Sequence, residues 1–167
     1  MKQTTWNKDW RKSVIIMSGG FDPVHKGHLR MFREASWLGH QVIVGLNSDD
    51  WLTRKKGQPF MDFKERKEIL EGFKYVNQVL AFDDSDDTAC SLIKQVRTIY
   101  SGSGYNYNFL DSNPTGEAEY KLYFANGGDR TTDNVPEQKV CEQLDVEMIW
   151  GVGGGKIQSS SWLIGDK

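Results

Sequence analysis

Five short apolar segments, separated by stretches whose apolar residues recur at helical spacing, dominate the pattern of this chain. Continuous apolar runs of this length are typical of strands buried on both faces of a parallel sheet. Parallel neighbours are joined by right-handed crossovers through helices. We therefore predict one α/β domain, a five-stranded parallel sheet with helices on both faces, whose strands are residues 14–17, 41–46, 79–82, 122–125 and 146–150.

Polar residues and glycines between these segments predict where the helices begin and end. Gly39 is the expected stop of the first helix, and Asp62 with Glu65 has the spacing of a reciprocal cap at the start of the second. The apolar positions of that second helix are Phe63, Ile69, Leu70 and Phe73. Further helices are predicted over residues 88–96, from residues 135–137 and from residues 159–161, and loops are predicted at residues 47–50 and 54–59.

The predicted domain covers residues 13–167 and follows a polar N-terminal extension, residues 1–12. Within it, residues 101–121 are rich in Gly, Asn, Ser and Tyr and read as an inserted loop or hairpin. The aromatic content of this insertion is high for a solvated spacer, because exposed aromatic rings gain by burial. It is expected either to decorate the edge of the domain or to cover a substrate or a second copy, and we expect a homodimer.

Composition narrows the class of protein. Charged residues make up 26% of the 167 residues and the formal net charge is −2, so no general basic field indicates a nucleic acid or a membrane surface as a partner. Residues 1–12 hold no apolar run typical of a signal peptide or anchor. The two cysteines fit a reducing compartment better than a disulfide framework, and we expect a cytoplasmic protein.

The segment from Gly19 to His28 carries the clearest chemical signal. It places His25 and His28 three residues apart, directly after the first predicted strand and at the start of the first predicted helix. The free N–H groups of a helix N-terminus attract anions, and imidazole can donate a hydrogen bond to a phosphate oxygen. Gly27 between the histidines lets a phosphate approach the backbone. The pattern predicts a phosphate-handling site.

A chance surface pair and half of a zinc site are the alternatives for these histidines. Zinc needs further ligands, and the only other histidine is His40. Cys90 and Cys141 lie far apart in the chain with no ligand-like spacing. The turn between strand and helix therefore favours phosphate over metal.

The run His25-Lys26-Gly27-His28 resembles the HxGH signature of the cytidylyltransferase-like nucleotidyltransferase superfamily, and the similarity extends over residues 14–164. Members that this chain resembles include glycerol-3-phosphate cytidylyltransferases and heptose-phosphate adenylyltransferases. The resemblance implies a Rossmann-like fold and the transfer of a nucleotidyl group from a nucleoside triphosphate to a phosphorylated small molecule, with release of pyrophosphate. It also implies Mg²⁺ as the companion of the triphosphate.

Site residues follow from the resemblance, position by position. The implied catalytic residues are His25, His28, Lys55 and Lys56, and the implied nucleotide-binding residues are Gly20, Phe21, Gly27, Gly128, Asp129, Lys156, Gln158, Ser159 and Ser160. The implied acceptor-binding residues are Asp22, Asp49, Arg66 and Arg130, and Asp22 and Asp129 are the candidates for contact with Mg²⁺. The alternatives are a solvated charged loop for the two lysines, a surface ion pair for Arg66 and an ordinary helix cap for the serines.

The glycine-rich run at residues 151–156 does not match a phosphate-binding Walker A loop. Trp150 stands where that motif needs its first glycine, and Ile157 stands where it needs Ser or Thr. Cytidylyltransferases usually carry an Arg-Thr-Glu-Gly sequence just before the last helix, where this chain has glycines. Overall resemblance favours CTP, whereas this departure keeps adenylyl transfer from ATP open.

Two rival functions remain beside the transferase. Aminoacyl-tRNA synthetases share a similar His-x-Gly-His turn, but this chain is short for a tRNA-binding domain and lacks a basic face. A catalytically silent nucleotide-binding or regulatory protein of the same fold is the second. The sequence leaves the acceptor open between a polyol phosphate, a sugar phosphate and another phosphorylated metabolite.

Overall fold

The computed structural model describes residues 12–100, 120–127 and 135–165. Within these ranges the chain forms a parallel sheet of five strands in the order β3-β2-β1-β4-β5, and six helices. The strands are β1 Ser13–Gly19, β2 Gln41–Leu46, β3 Gln78–Ala81, β4 Lys121–Gly127 and β5 Val146–Val152. The helices are α1 Lys26–Leu38, α2 Asp49–Lys56, α3 Phe63–Glu71, α4 Cys90–Ile99, α5 Glu137–Gln143 and α6 Ser160–Leu163. The predicted fold class is confirmed.

Two apolar cores lie on opposite faces of the sheet, because successive side chains of a strand point to opposite faces. Strand β1 contributes Ile15 and Met17 to the core beneath α1 and α3, and Val14 and Ile16 to the core beneath α4 and α5. All four side chains are fully buried. This double burial explains why the strands read as continuous apolar runs instead of alternating ones.

Helix α2 corrects the two loops predicted at residues 47–50 and 54–59. The Ser48 hydroxyl accepts a hydrogen bond from the backbone N–H of Trp51 at 3.0 Å and so caps the helix, which continues to Lys56. Gly57, at φ 91°, ends it. Acidic residues in the first turn and basic residues in the last turn stabilise this short helix, because their charges interact favourably with the helix dipole. The predicted basic loop is therefore the last turn of a helix.

The second predicted helix, α3, begins as predicted, but it ends at Glu71, two residues before the predicted apolar position Phe73, and one of its side chains is oriented differently. Asp62 caps α3 by accepting from the N–H of Glu65 at 2.8 Å. Leu70 is buried as predicted, whereas Ile69 is 36% exposed. Arg66 takes the buried position instead, because its guanidinium finds hydrogen-bond partners inside the protein.

Most of the predicted insertion lies outside the described residues, as does the extension except Lys12. At the end of the insertion, the ring of Tyr120 packs edge-on against Tyr100 with 5.0 Å between centroids, and Lys121 already opens β4. No helix in the described ranges is long and apolar enough to cross a membrane.

The topology creates a crevice beside β1. The chain runs from β1 to β2 on one side, whereas β4 pairs with β1 on the other side. In sheets of this kind, ligands bind where the strand order reverses, beyond the carboxyl ends of the strands. The loop that carries His25 and His28 begins at this point.

Candidate active site

A cleft of about 710 Å³ opens beyond the carboxyl ends of β1 and β4. Its size is in the range of small-molecule sites. It brings together twelve of the residues predicted from the sequence, namely Gly20, Phe21, Asp22, His25, Gly27, His28, Lys55, Lys56, Lys156, Gln158, Ser159 and Ser160. Asp49 and Arg66 do not line it, and Gly128, Asp129 and Arg130 lie outside the described residues.

The two histidines cap the N-terminus of α1 through reciprocal hydrogen bonds. Nδ1 of His25 accepts a hydrogen bond from the backbone N–H of Gly27 at 3.1 Å, and Nδ1 of His28 accepts from the backbone N–H of His25 at 3.2 Å. The rings are stacked, with 3.7 Å between centroids. This is a capping box in which imidazole nitrogens replace the usual hydroxyl and carboxylate oxygens.

This cap selects one tautomer for each ring. A neutral imidazole has one N–H donor and one acceptor nitrogen. Since Nδ1 accepts in both His25 and His28, the proton of each neutral ring lies on Nε2. Both rings line the cleft, so each can offer one N–H donor to a ligand there.

Burial holds His28 in the neutral form. It lowers the pKa of His28 to about 3, with a smaller contribution from the neighbouring His25. Burial also lowers the pKa of His25, and the charge of Lys156 adds to that effect. The geometry therefore presents neutral hydrogen-bond donors, a suitable arrangement for binding phosphate oxygens without proton transfer.

Gly27 and Phe21 fix the positions of the imidazoles. A Cβ atom on Gly27 would lie 2.9 Å from Cε1 and 3.0 Å from Nδ1 of His25, so any larger residue would displace the capping ring. Phe21 is buried beneath the cleft and packs edge-on against His28, with 4.8 Å between ring centroids. The glycine of the motif thus has a packing reason besides the approach of a phosphate.

The three basic residues that end α2 differ in their partners. Arg54 pairs with Asp87 at 3.2 Å and donates to the backbone carbonyl of Asp84 at 2.8 Å, away from the cleft. Lys55 is about half exposed on the cleft wall, with Nζ 4.0 Å from Asp87 and 5.7 Å from the centre of the Trp51 ring. Its amine is the more available of the two predicted lysines.

Lys56 is bound to Asp22, whose carboxylate is completely buried. Nζ of Lys56 lies 3.3 Å from Oδ2 of Asp22 and donates to its backbone carbonyl at 2.6 Å. The same carboxylate accepts from the N–H groups of Phe60 and Met61, each at 2.7 Å. Asp22 therefore ties the loop after α2 to the loop after β1 and sets the position of Lys56.

Arg66 acts as a clamp behind the cleft. Its guanidinium donates to the carbonyls of Gly20 and Asn47, both at 2.8 Å, and pairs with Asp49 at 2.6 Å. Its side chain is fully buried, so the surface position weighed from the sequence is wrong, whereas the pairing with an acid is right. The clamp holds the loops after β1 and β2 together, and the predicted acceptor contacts of Arg66 and Asp49 stay predictions.

The glycine loop after β5 packs against α1 and closes the other wall. Gly153 has φ 87°, its N–H donates to Glu34, and a Cβ there would lie 2.6 Å from Cγ of Met31. Further along, the hydroxyl of Ser160 donates to the carbonyl of Pro23 at 2.7 Å, while those of Ser159 and Ser161 lie 2.8 Å apart. These contacts bring the segment after β5 onto the loop that carries the histidines.

Sequence reasoning missed several residues of the cleft. Trp51 and Met31 lie on helices whose cleft-facing side only the packing reveals, and Asn126 stands at the carboxyl end of β4. The position of Asn126 directly after the predicted strand 122–125 was a usable signal, because polar residues at strand ends in parallel sheets often line the ligand crevice.

The described residues do not fit a protein-held metal ion. They contain no group of three or more His, Cys, Asp or Glu side chains arranged to hold one. Both oxygens of Asp22 accept backbone N–H groups, and Nδ1 of each cleft histidine is engaged in the cap. The zinc alternative thus has no support in these ranges, and Asp22 already has a different structural task.

Comparison with known proteins supports the family predicted from the motif. A family model described as cytidylyltransferase-like matches residues 16–152. The bifunctional protein HldE of Actinobacillus succinogenes is 32% identical over 73% of this chain and 25% of its own length, and that of Sulfurimonas denitrificans is 33% identical over 83% and 29%. The chain thus spans about a quarter of the length of these relatives.

The fold has a counterpart among solved structures. A lipopolysaccharide core biosynthesis protein from Thermoplasma volcanium superimposes with a TM-score of 0.56 at 17% identity, over 83% of this chain and 93% of that one. At this identity the match supports the fold alone, whereas the family model spans most of the chain, including the histidine loop and the α2 wall of the cleft. This chain belongs to the cytidylyltransferase-like family.

Proposed function

We propose that this chain transfers CMP from CTP, or AMP from ATP, to a phosphorylated small molecule such as a polyol phosphate or a sugar phosphate, and releases pyrophosphate. The observation that carries the proposal is the pair of neutral Nε2–H donors of His25 and His28, held by the cap of α1 in a cleft that also contains three lysines. The identity of the acceptor and the identity of the nucleotide base are also part of this proposal.

In the proposed reaction, a phosphate oxygen of the acceptor attacks the α-phosphorus of the triphosphate. A new P–O bond joins the two substrates while the bond from the α-phosphorus to the bridging oxygen breaks, and the electron pair leaves with pyrophosphate. The nucleophile is already ionised, so no general base is needed. Catalysis then depends on position and on stabilisation of charge.

The arrangement of the cleft suggests a role for each wall. His25 and His28 would donate to oxygens of the α- and β-phosphates, where negative charge grows as the leaving group departs. Lys55, on the α2 wall, would reduce the repulsion between the two anions, and Lys56 would do so from its fixed place beside Asp22. Lys156 and the serines on the opposite wall would hold the outer phosphates.

Mg²⁺ enters this proposal only as the companion of the triphosphate. The described residues offer it no ligand cluster, and the predicted contact at Asp129 falls outside them. No step of the reaction above is assigned to the ion.

The experiment is a matrix of CTP, ATP, UTP and GTP, each with Mg²⁺, against a panel of polyol phosphates and sugar phosphates, with pyrophosphate as the readout. We expect release that depends on both substrates. The matched control is His28→Asn, because the Asn carbonyl can replace Nδ1 as the acceptor of the cap but offers no counterpart of Nε2. Nucleotide binding without pyrophosphate release in any combination would instead support a catalytically silent nucleotide-binding protein.

A further inference from the structure

The side-chain amide nitrogen of Asn126 is buried and has no partner among the described residues. Its side chain is 4% exposed, and its Nδ2 atom makes no hydrogen bond within the part of the chain that the structure describes. Buried donors in native proteins nearly always have a partner, and an exception needs an explanation. The residue lines the cleft, so a bound ligand is the natural partner for this group.

The backbone pairing is irregular at Asn126. The register between β4 and β5 shifts between Ala125 and Gly127, so the strand pairing is irregular at this residue. A Cβ atom on Gly127 would lie 2.5 Å from the sulfur of Met31, one helical turn beyond His28. Asn126 is thus held by a tightly packed strand end close to the histidine helix.

Among the described residues, the cleft surface around Asn126 is uncharged. Phe124, Ala125, Gly127, Met31 and Val152 are the cleft residues from the same strand end and from the elements that pack on it. The lysines belong to α2 and to the segment after β5. An apolar surface with one amide is suited to a neutral group that carries hydrogen-bonding atoms, whereas phosphates are better served by the lysines and histidines.

We propose that Asn126 binds the nucleoside part of the triphosphate through a hydrogen bond from its amide to an acceptor atom of the base or the ribose. This inference rests on the proposed function, since it takes a nucleoside triphosphate as the ligand. It makes Asn126 a specificity-determining residue that contacts the substrate away from the reacting phosphorus.

The test is calorimetric binding of the preferred triphosphate and of inorganic tripolyphosphate to the wild-type protein and to Asn126→Ala. We expect the variant to bind the nucleoside triphosphate about tenfold more weakly, as for one lost hydrogen bond to a ligand. Tripolyphosphate carries no nucleoside, so its affinity should change by less than about twofold. Equal affinity of both proteins for the nucleotide, or equal weakening for both ligands, would overturn the inference.

A stability measurement separates binding from a merely structural role. Asn126→Leu keeps the branched shape but removes the unpaired amide, so the ligand-free variant should melt at the same temperature as the wild type or higher. A clearly lower melting temperature of both variants without ligand would show that Asn126 serves the fold, and would contradict the proposal.

Two further arms refine the result. If Asn126→Ala weakens binding of the ribonucleotide but not of the 2′-deoxynucleotide, the contact is with the 2′-hydroxyl. If it weakens binding of both equally, the contact is elsewhere on the nucleoside. Either result supports the proposal. Nucleotide binding that depends on Asn126 without any pyrophosphate release would reject the proposed transfer and leave this inference standing. Failure of the wild type to bind any of the four triphosphates would overturn both.

Discussion

Replacing His25 by Asn separates its two tasks, which are to cap α1 and to donate a hydrogen bond into the cleft. The cap uses Nδ1, which is bonded to Cγ and accepts from the N–H of Gly27 at 3.1 Å. The carbonyl oxygen of Asn is also bonded to Cγ and can take the same place, and Asn is among the best residues at a helix N-cap. Nothing in Asn replaces Nε2–H.

The expected magnitudes follow from this division. His25→Ala loses the cap as well as the donor, and loss of an N-cap costs about 1 kcal/mol of unfolding free energy. For a chain of this length that lowers the melting temperature by roughly 2–4 °C. His25→Asn should melt within about 1 °C of the wild type, because a cap of equal rank remains. Both variants should lose on the order of 10²–10³ in kcat, the effect of removing one donor to a developing negative charge.

Pyrophosphate release at saturating substrates measures kcat, and thermal melting followed by circular dichroism measures stability. A His25→Asn variant that keeps more than about a tenth of the wild-type kcat would show that His25 serves only as a cap. An Asn variant destabilised as much as the Ala variant would show that Nδ1 is not the group that caps the helix.

Three further outcomes are expected. Arg66→Ala should lower the unfolding free energy by about 3 kcal/mol, because three backbone carbonyls and Asp49 lose a buried partner. Asp49→Asn should lower it by less than about 1 kcal/mol, because the Asp49 side chain is 41% exposed. Denaturant titration measures both values. We expect the acceptor at the α2 wall, because the implied acceptor residue Asp22 is bound to Lys56 there. Trp51→Leu, which alters the ring beside Lys55 on that wall, should then raise KM for the acceptor about tenfold and leave KM for the triphosphate unchanged; equal effects on both substrates would contradict that placement. Burial lowers the pKa of His28 from its ordinary value of 6.5 to about 3 in the folded state, so the unfolded chain takes up a proton first on acidification. Stability should thus fall as the pH drops from about 6.5 towards 3, and His28→Asn should show a shallower fall.

Local chemistry made much of this protein predictable. The buried strands could be located because continuous apolar runs bounded by polar turns have few other structures open to them. His25 and His28 were found because a strand, a glycine-rich turn and a helix follow one another directly in the chain. Helix α2 was missed because Ser48 was read as part of a loop, although Ser is a strong N-cap and two acidic residues follow it.

The predicted site also shows the limit of local reasoning. Lys55 and Lys56 are adjacent in the sequence and equal in charge, yet one is about half exposed beside Trp51 and the other is held by Asp22. The contact that holds Lys56 joins it to Asp22, which lies 34 positions away in the chain. A resemblance in sequence could not assign the two lysines different partners.

The sequence by itself determined the α/β class, the strand positions, the family and the histidine pair, because each depends on residues that are close together in the chain. Only the tertiary structure decided that both imidazoles carry their proton on Nε2, that Arg66 is a buried clamp, and that the Nδ2 atom of Asn126 in the cleft has no partner among the described residues. These properties depend on which distant groups are brought within hydrogen-bonding distance. They also depend on how much water is excluded there, since burial sets both the pKa of His28 and the cost of leaving an amide unpaired.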